Sequence, residues 1–300
     1  MTGRSEGRLP TFMVIGAMKS GTSSLRDYLR DHPEVFIPPE EELHYFVEGI
    51  NWKQGVDWYR ARFAGAGDAI AVGEKSPTYT MHPEHPGVPE RIAALLPEVR
   101  LIYVVRHPIE RIKSHYVHQS ERGQEGLSIN RAVRADPRYL DTSRYAMQLD
   151  RFLDWFPEEQ IMVVTSDQLD GDRSATFARI ASFCGVDPAA DVRALGGRSH
   201  ESSNKQVPVG LTARLRTIPA LRKAAEALPA PLREKIGART RRQLRPEDVA
   251  FDPVVERWLI DELTPDLQRL ERWLGPDFDG WGLGARPERA SRAGAQPKDS

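Results

Sequence analysis

Short runs of apolar, β-branched residues alternate along this chain with longer stretches in which apolar residues recur every three or four positions. The first pattern predicts buried strands, and the second predicts helices that pack on them. The strands are expected at residues 12–15, 70–73, 101–105 and 161–165, and the helices at 56–63, 89–96, 108–121, 144–156 and 174–183. This alternation predicts an α/β fold with a mostly parallel sheet that is flanked by helices on both faces.

The chain changes character after the last predicted strand. Between residues 212 and 245, ten lysines and arginines face only two glutamates, and three prolines divide the stretch into short predicted helices. We interpret residues 207–246 as a basic helical insertion or lid, which is either simply solvated or meets an anionic acceptor or carrier. An amphipathic helix is expected over 254–274, kinked or split in two at Pro265.

These boundaries predict a single domain over residues 11–283 with a helical C-terminal elaboration. Residues 1–10 are expected to be a flexible N-terminus, and the small, polar residues 284–300 a disordered tail. A formal net charge of −1 gives no electrostatic reason to expect a nucleic-acid partner, and no apolar run approaches membrane-spanning length. The single cysteine fits a reducing compartment, so a cytoplasmic location is expected.

The stretch from Gly16 to Leu25 follows the first predicted strand and leads into a helix. A glycine-bracketed loop at a helix N-terminus turns backbone N–H groups toward an anion, and the helix dipole adds positive charge there. An ATPase loop requires Gly-Lys-Ser/Thr after four variable residues. Here Lys19 lies inside the loop and Thr22 follows Gly21 directly, which indicates a P-loop-like phosphate site of another kind.

Polar residues of catalytic type follow three of the predicted strands. Lys19 comes after the first, Glu74 and Lys75 after the second, and Arg106 after the third. Ligands of open parallel sheets bind beyond the carboxyl ends of the strands, so these side chains are expected to converge. Farther along the helix that begins at Pro108, Arg111 and Ser114 are one turn apart and are expected to face one anion.

These segments resemble the sulfotransferases that use 3′-phosphoadenosine 5′-phosphosulfate, in particular a bacterial member of the glycan (heparan-sulfate-type) branch. The 5′-phosphosulfate loop of that family is matched at Gly16, Lys19, Gly21, Thr22 and Leu25. Its 3′-phosphate motif is matched at Arg106, Pro108, Arg111, Ser114 and Tyr116, with His107 in place of the usual Asp. The resemblance implies that the donor nucleotide is bound by Gly16, Lys19, Ser20, Gly21, Thr22, Ser23, Arg106 and Ser114, with Ser203 and Lys205 in a loop that covers it.

Two further segments resemble motifs of the glycan branch. Glu42-Leu43-His44-Tyr45-Phe46 is similar to an element whose glutamate acts as the base, although Glu41 stands where a lysine is common. Glu74-Lys75-Ser76-Pro77-Thr78-Tyr79 is similar to the branch's substrate loop. The resemblance implies Glu42 as general base, with His44 as the competing base, and Lys19 and Lys75 as the lysines of the centre. We expect repulsion within Glu40-Glu41-Glu42 to raise the pKa of Glu42.

The function implied is an O-sulfotransferase that moves the sulfuryl group in line from the donor to a hydroxyl of a sugar, lipid or secondary metabolite. Its nucleotide product is 3′,5′-adenosine bisphosphate, and no metal is expected, because Lys19 and the loop amides supply the charge stabilisation. The expected partner is a hydroxyl-bearing small molecule or glycan; the sequence leaves the oligomeric state open. The alternatives are a P-loop kinase, which would depend on magnesium, and a binding module that has lost catalysis.

Overall fold

The computed structural model describes residues 7–196, 206–208 and 241–283, with the backbone alone for 206–208 and 241–243. The five strands of its main sheet are β1 (Phe12–Gly16), β2 (Val35–Phe36), β3 (Ala71–Lys75), β4 (Arg100–Val105) and β5 (Ile161–Thr165). They lie in the order β2-β3-β1-β4-β5, and each neighbouring pair is parallel. The predicted parallel sheet is confirmed, and the two-residue edge strand β2 is an addition to it.

Helices cover the sheet on both faces, as the sequence predicts. In order they are α1 (Thr22–Asp31), α2 (Gly55–Ala61), α3 (Val88–Leu95), α4 (Pro108–Glu121), α5 (Ile129–Ala135), α6 (Arg138–Asp141), α7 (Tyr145–Leu153), α8 (Ser166–Gly171), α9 (Arg173–Cys184) and α10 (Pro253–Leu274). Short 3₁₀ turns occupy Trp52–Gln54, Pro77–Thr80, Glu158–Gln160, Arg193–Gly196, Pro246–Val249 and Gly280–Gly282.

Two hydrophobic cores follow from the alternation of side chains along the strands. Met13 and Ile15 of β1 point into one core, which is closed by α2, α3, α4, α5, α7 and α10. Phe12 and Val14 point into the other, which is closed by α1, α8 and α9. Because both faces of each central strand are buried, the sequence of each strand is a continuous apolar run and does not alternate between apolar and polar residues.

The predicted break of the C-terminal helix at Pro265 is wrong in part, because α10 is a single helix with Pro265 inside it. The buried residues Leu263, Leu267 and Leu270 continue the apolar side across the proline, so packing holds the helix together. Asp266 of α10 accepts hydrogen bonds from the backbone N–H groups of Ala146 and Met147, both at 2.8 Å. This contact fixes the start of α7, and with it Tyr145.

Only the ends of the predicted basic insertion belong to the described residues. There β6 (Gln206–Pro208) pairs antiparallel with β7 (Arg241–Gln243), so the end expected to be helical is a strand. The hydrogen bonds to the partner strand outweigh the helix predicted for this arginine-rich stretch. The remainder of the insertion, the first six residues and the tail 284–300 lie outside the described residues. Among the described helices, none is long and apolar enough to cross a membrane.

Candidate active site

The loop between β1 and α1 makes a tight turn at the carboxyl edge of the sheet. Lys19 and Gly21 adopt positive φ angles of 70° and 95°, and α1 begins directly afterwards at Thr22. Such left-handed positions let successive backbone N–H groups turn to one side of the loop. Gly16 is needed for a different reason, because a Cβ atom there would lie 1.9 Å from Oγ1 of Thr80. Only glycine lets the strand pack so closely.

A cleft of about 1110 Å³ opens at this edge. It brings together nine of the predicted site residues, which come from four separate stretches of the chain: Lys19, Ser20, Gly21, Thr22, Ser23, Glu42, His44, Arg106 and Ser114. Gly16 lies behind the loop and does not line the cleft. Lys75 is buried beneath it and reaches the cleft through Glu42. Ser203 and Lys205 lie outside the described residues.

Arg106 connects the two predicted anion-binding segments. It follows β4 directly, and its Nη1 donates to the backbone carbonyl of Lys19 at 3.4 Å. Its own carbonyl accepts a hydrogen bond from the Tyr145 hydroxyl at 2.7 Å. Ser114 lines the same cleft from α4, so a guanidinium, a hydroxyl and the amides of the loop face one space. The sequence places Tyr145 in the helix predicted over 144–156, but nothing local to it shows that it packs under Arg106.

Arg111 does not face that space, so the expectation that it shares an anion with Ser114 is wrong. Its side chain is completely buried, with Nε donating to Ser143 Oγ and Nη2 to the carbonyl of Tyr139, both at 2.6 Å. Burial lowers the pKa of this guanidinium from its ordinary value. The hydrogen bonds of Arg111 therefore attach the segment before α7 to α4. One turn of α4 separates Arg111 from Ser114, but their side chains leave the helix toward different sides.

Glu42 is held by two partners, one on each oxygen. Lys75 Nζ donates to Oε1 at 2.6 Å, and His44 Nε2 lies 3.2 Å from Oε2. The Lys75 side chain is only 1% exposed and also lies 3.5 Å from Ser23 Oγ, so it connects the glutamate with the phosphate-type loop. Glu42 itself remains 30% exposed at the cleft. Lys75 and His44 thus fix the orientation of the carboxylate, and its exposed part faces the cleft, where a ligand can reach it.

The expected rise of the Glu42 pKa is wrong, and the reason is geometric. Burial raises the pKa of this carboxyl, but the hydrogen bond from His44 and the charge and hydrogen bond of Lys75 outweigh burial and bring it to about 2. The neighbouring glutamates do not repel it, because each turns to a different cation. Glu40 pairs with Arg62 at 3.1 Å, and Glu41, which lines the cleft, with Arg26 at 3.3 Å.

His44 is fixed by the loop that follows β3. Its backbone N–H donates to Ser76 Oγ at 3.0 Å, and its Nδ1 lies 2.8 Å from Thr78 Oγ1. A hydrogen on Nε2 directed at Glu42, with Nδ1 accepting from Thr78, satisfies both contacts. Ser76 and Thr78 carry no chemistry that the sequence alone would flag. They lie, however, within the Lys-Ser-Pro-Thr-Tyr stretch that resembles the substrate loop, and this resemblance is the one sequence feature that points to them.

His107, which departs from the family motif, packs away from the cleft. Its ring lies 6.2 Å from that of Trp281, whose Nε1 donates to Asp167 Oδ2 at 2.7 Å. Burial lowers the pKa of His107 from its ordinary value. His107 therefore does not line the cleft, and its ring belongs to the packing beside Trp281.

Comparison with known proteins agrees with this arrangement. A family model described as "Sulfotransferase domain" matches residues 9–206. The bifunctional heparan sulfate N-deacetylase/N-sulfotransferase 2 of Bos taurus is 32% identical over 203 residues, covering 60% of this chain and 22% of that protein. The heparan sulfate glucosamine 3-O-sulfotransferase 5 of Homo sapiens is 31% identical over 193 residues, covering 60% of this chain and 55% of that protein. The chain thus spans about a fifth to about half of the length of these relatives.

A solved structure shares the fold. The sulfotransferase from Alicyclobacillus acidocaldarius superposes with a TM-score of 0.64 at 24% identity, over 92% of this chain and 99% of that one. At this level of identity the likeness concerns the architecture and carries no information on the acceptor.

Proposed function

Since the chain belongs to the sulfotransferase domain family and is an enzyme of the sulfotransferase type, we propose that it moves a sulfuryl group from 3′-phosphoadenosine 5′-phosphosulfate to an acceptor hydroxyl, with Glu42 as general base. The observation that supports this most strongly is the single cleft in which Lys19, Arg106 and Ser114 face Glu42 and His44. Anion-binding groups and a proton acceptor in one space are what in-line transfer from an anionic donor needs.

The donor side of the cleft fits a nucleotide that carries two separate anionic groups. Lys19, the loop amides and the start of α1 form one anion-binding position, and Arg106 with Ser114 forms a second. The donor supplies both the sulfuryl group and a phosphate that is easily displaced. We assign to Lys19 the stabilisation of negative charge on the leaving oxygen, and to Arg106 and Ser114 the 3′-phosphate. These groups carry the charge without a metal ion.

On the acceptor side, the proposal gives Glu42 the proton of the attacking hydroxyl. Lys75 holds one oxygen of the carboxylate and His44 the other, so its direction is set before an acceptor arrives. The same contacts lower its basicity, and the proton therefore transfers late, when the hydroxyl oxygen has become acidic through bond formation to sulfur. His44 is the competing base: in the other tautomer, with the hydrogen on Nδ1 directed at Thr78, its Nε2 accepts the proton instead of Glu42.

For the acceptor we propose a hydroxyl of a sugar or polyol. Two relatives are named for heparan sulfate, and one of those names specifies transfer to oxygen. A hydroxyl of a lipid or secondary metabolite would be activated by the same base, so the identity of the sulfated product decides between these acceptors and a sugar or polyol. We further propose that residues 11–283 act as one sulfotransferase domain, and that the chain works in the reducing cytoplasm, which its single cysteine fits.

The direct test supplies the protein with candidate donors and an extract of small metabolites and glycans. Mass spectrometry is expected to find a sulfated product with 3′-phosphoadenosine 5′-phosphosulfate and EDTA present. A phosphorylated product with ATP and magnesium, and none with the sulfuryl donor, would replace the proposal by the kinase alternative. Calorimetry with 3′,5′-adenosine bisphosphate provides an arm that needs no acceptor, and lack of binding there would argue against donor use.

A further inference from the structure

A second carboxyl lies directly behind the site and takes no part in the chemistry described above. Glu74 precedes Lys75 on β3, and because successive strand residues point to opposite faces, it enters the core below the cleft. Only 1% of Glu74 is exposed. Its Oε1 accepts a hydrogen bond from the Tyr79 hydroxyl at 2.8 Å.

The surroundings of Glu74 disfavour a charge. The titratable groups that face it are two phenols, Tyr59 from α2 and Tyr79 from the turn after β3, both fully buried. Burial raises the pKa of Glu74 to about 8, although the hydrogen bond from Tyr79 acts in the opposite direction. At neutral pH the carboxyl is therefore mostly protonated, unlike Glu42, which is ionised.

The Tyr79 hydroxyl also contacts the loop that carries the proposed base. It lies 3.5 Å from the backbone N–H of Phe46, and the Phe46 and Tyr79 rings meet edge to face with centroids 5.7 Å apart. Phe46 is two residues after His44, whereas Tyr79 directly follows Thr78. The phenol thus lies between the loop of Glu42 and His44 and the strand of Lys75.

We propose that Glu74 is a positioning residue, whose buried carboxyl holds the Tyr79 hydroxyl in place and thereby aligns the loop of Glu42 and His44 with Lys75. The inference rests on the proposed function of that centre. An ionised carboxylate in this core would be stabilised only if water reached it, which requires the aromatic side chains around it to separate. Deprotonation of Glu74 strengthens its hydrogen bond from Tyr79, but the water that the charge draws into the core separates the aromatic side chains, which loosens the alignment and lowers turnover.

The proposal predicts an alkaline fall in turnover that depends on Glu74. At pH 9 about a tenth of the molecules keep Glu74 protonated, so kcat at saturating donor is expected to be about tenfold below its plateau. Glu74→Gln keeps an acceptor for the phenol but cannot ionise, so its kcat is expected to stay level from pH 7 to 9. A fall near pH 8 that persists in Glu74→Gln would overturn the proposal.

A second comparison separates positioning from general packing. Tyr79→Phe removes the hydroxyl that joins the two segments and is expected to lower kcat at least tenfold at pH 7, while the Kd for 3′,5′-adenosine bisphosphate changes less than twofold. Tyr45→Phe is the matched control, because Tyr45 belongs to the same aromatic cluster but its hydroxyl does not contact Glu74. Equal losses in the two variants would assign the effect to packing alone.

A spectroscopic arm needs neither an acceptor nor an active variant. Infrared difference spectra of the wild-type chain are expected to show the C=O stretch of a protonated carboxyl that disappears as the pH passes through about 8. Glu74→Gln should lack this band, and Tyr79→Phe should shift it. A wild type without a carboxyl band that titrates in this range would overturn the protonated state of Glu74, whatever the enzyme transfers. If sulfuryl transfer fails but the band is present, only the proposed function is lost.

Discussion

The ammonium group of Lys75 lies 2.6 Å from Oε1 of Glu42, although the lysine side chain is 1% exposed and the glutamate 30%. The buried cation thus depends on a carboxylate at the cleft for its partner. A buried charge whose partner is removed is far less favourable than one that was never placed there. The proposed base and the stability of the domain are therefore coupled through this pair.

The first prediction is that Glu42→Gln destabilises the protein. Loss of the partner of a buried charge costs about 3–5 kcal/mol, and the amide oxygen of glutamine recovers part of it. Denaturant unfolding at pH 7 measures the loss. Adding Lys75→Met removes the buried charge as well and is expected to restore most of the stability. If the double variant is less stable than Glu42→Gln alone, Lys75 does not depend on Glu42.

The same pair gives the second prediction, which concerns pH. The pKa of Glu42 is lowered in the folded protein to about 2, so its ionised form contributes stability that is complete above the unfolded value of about 4.5. That contribution is lost as the pH falls from about 4.5 toward 2. The difference in unfolding free energy between wild type and Glu42→Gln should shrink over this range. A difference that stays constant from pH 5 to pH 3 would contradict the lowered pKa.

The third prediction concerns recognition of the 3′-phosphate. Arg106→Ala removes a charge-assisted hydrogen bond worth about 1.5–3 kcal/mol. Calorimetry should show that the wild type binds 3′,5′-adenosine bisphosphate much more tightly than 5′-AMP, and that Arg106→Ala abolishes most of the difference. Arg111→Ala is the control: since Arg111 bonds to Ser143 and Tyr139, it should lower stability and keep the preference. Loss of the preference in Arg111→Ala alone would reverse these roles.

The fourth prediction separates donor binding from charge stabilisation at Lys19. An interaction that strengthens as the leaving oxygen becomes anionic affects turnover more than ground-state binding. Lys19→Ala is therefore expected to lower kcat by more than tenfold and to change the donor Kd by less. Magnesium should not restore the lost rate. A raised donor Kd together with an unchanged kcat would make Lys19 a binding residue only.

The sheet and the loop after β1 could be predicted from sequence because both depend on local patterns. Strands buried on both faces are continuous apolar runs, and the turn around Gly21 needs residues that tolerate positive φ. Lys19 and Arg106 could be placed together for a topological reason, since the carboxyl ends of parallel strands share one edge of the sheet.

The interior of the site could not be predicted, because it depends on which way side chains leave their elements. No local pattern indicates that Arg111 turns inward while Ser114 turns to the cleft. Nor does any pattern show that the three adjacent glutamates separate toward different cations, which reverses the expected pKa shift of Glu42. Two of these cations, Arg62 and Lys75, lie 22 and 33 residues along the chain from the glutamates that they contact, and only the packed fold brings them close.

The claim that Glu42 is the general base is tested most directly by comparing the turnover of Glu42→Gln with that of His44→Ala. Both are measured at saturating donor and with the acceptor found in the extract. Both proteins must first be shown to be folded and to bind 3′,5′-adenosine bisphosphate as the wild type does. We expect Glu42→Gln to lose about 10²–10⁴-fold in kcat, because the amide keeps the shape of the carboxylate and cannot take the proton. His44→Ala should lose less, since it orients the carboxylate. Near-normal turnover in Glu42→Gln together with collapse in His44→Ala would contradict the account and make His44 the base.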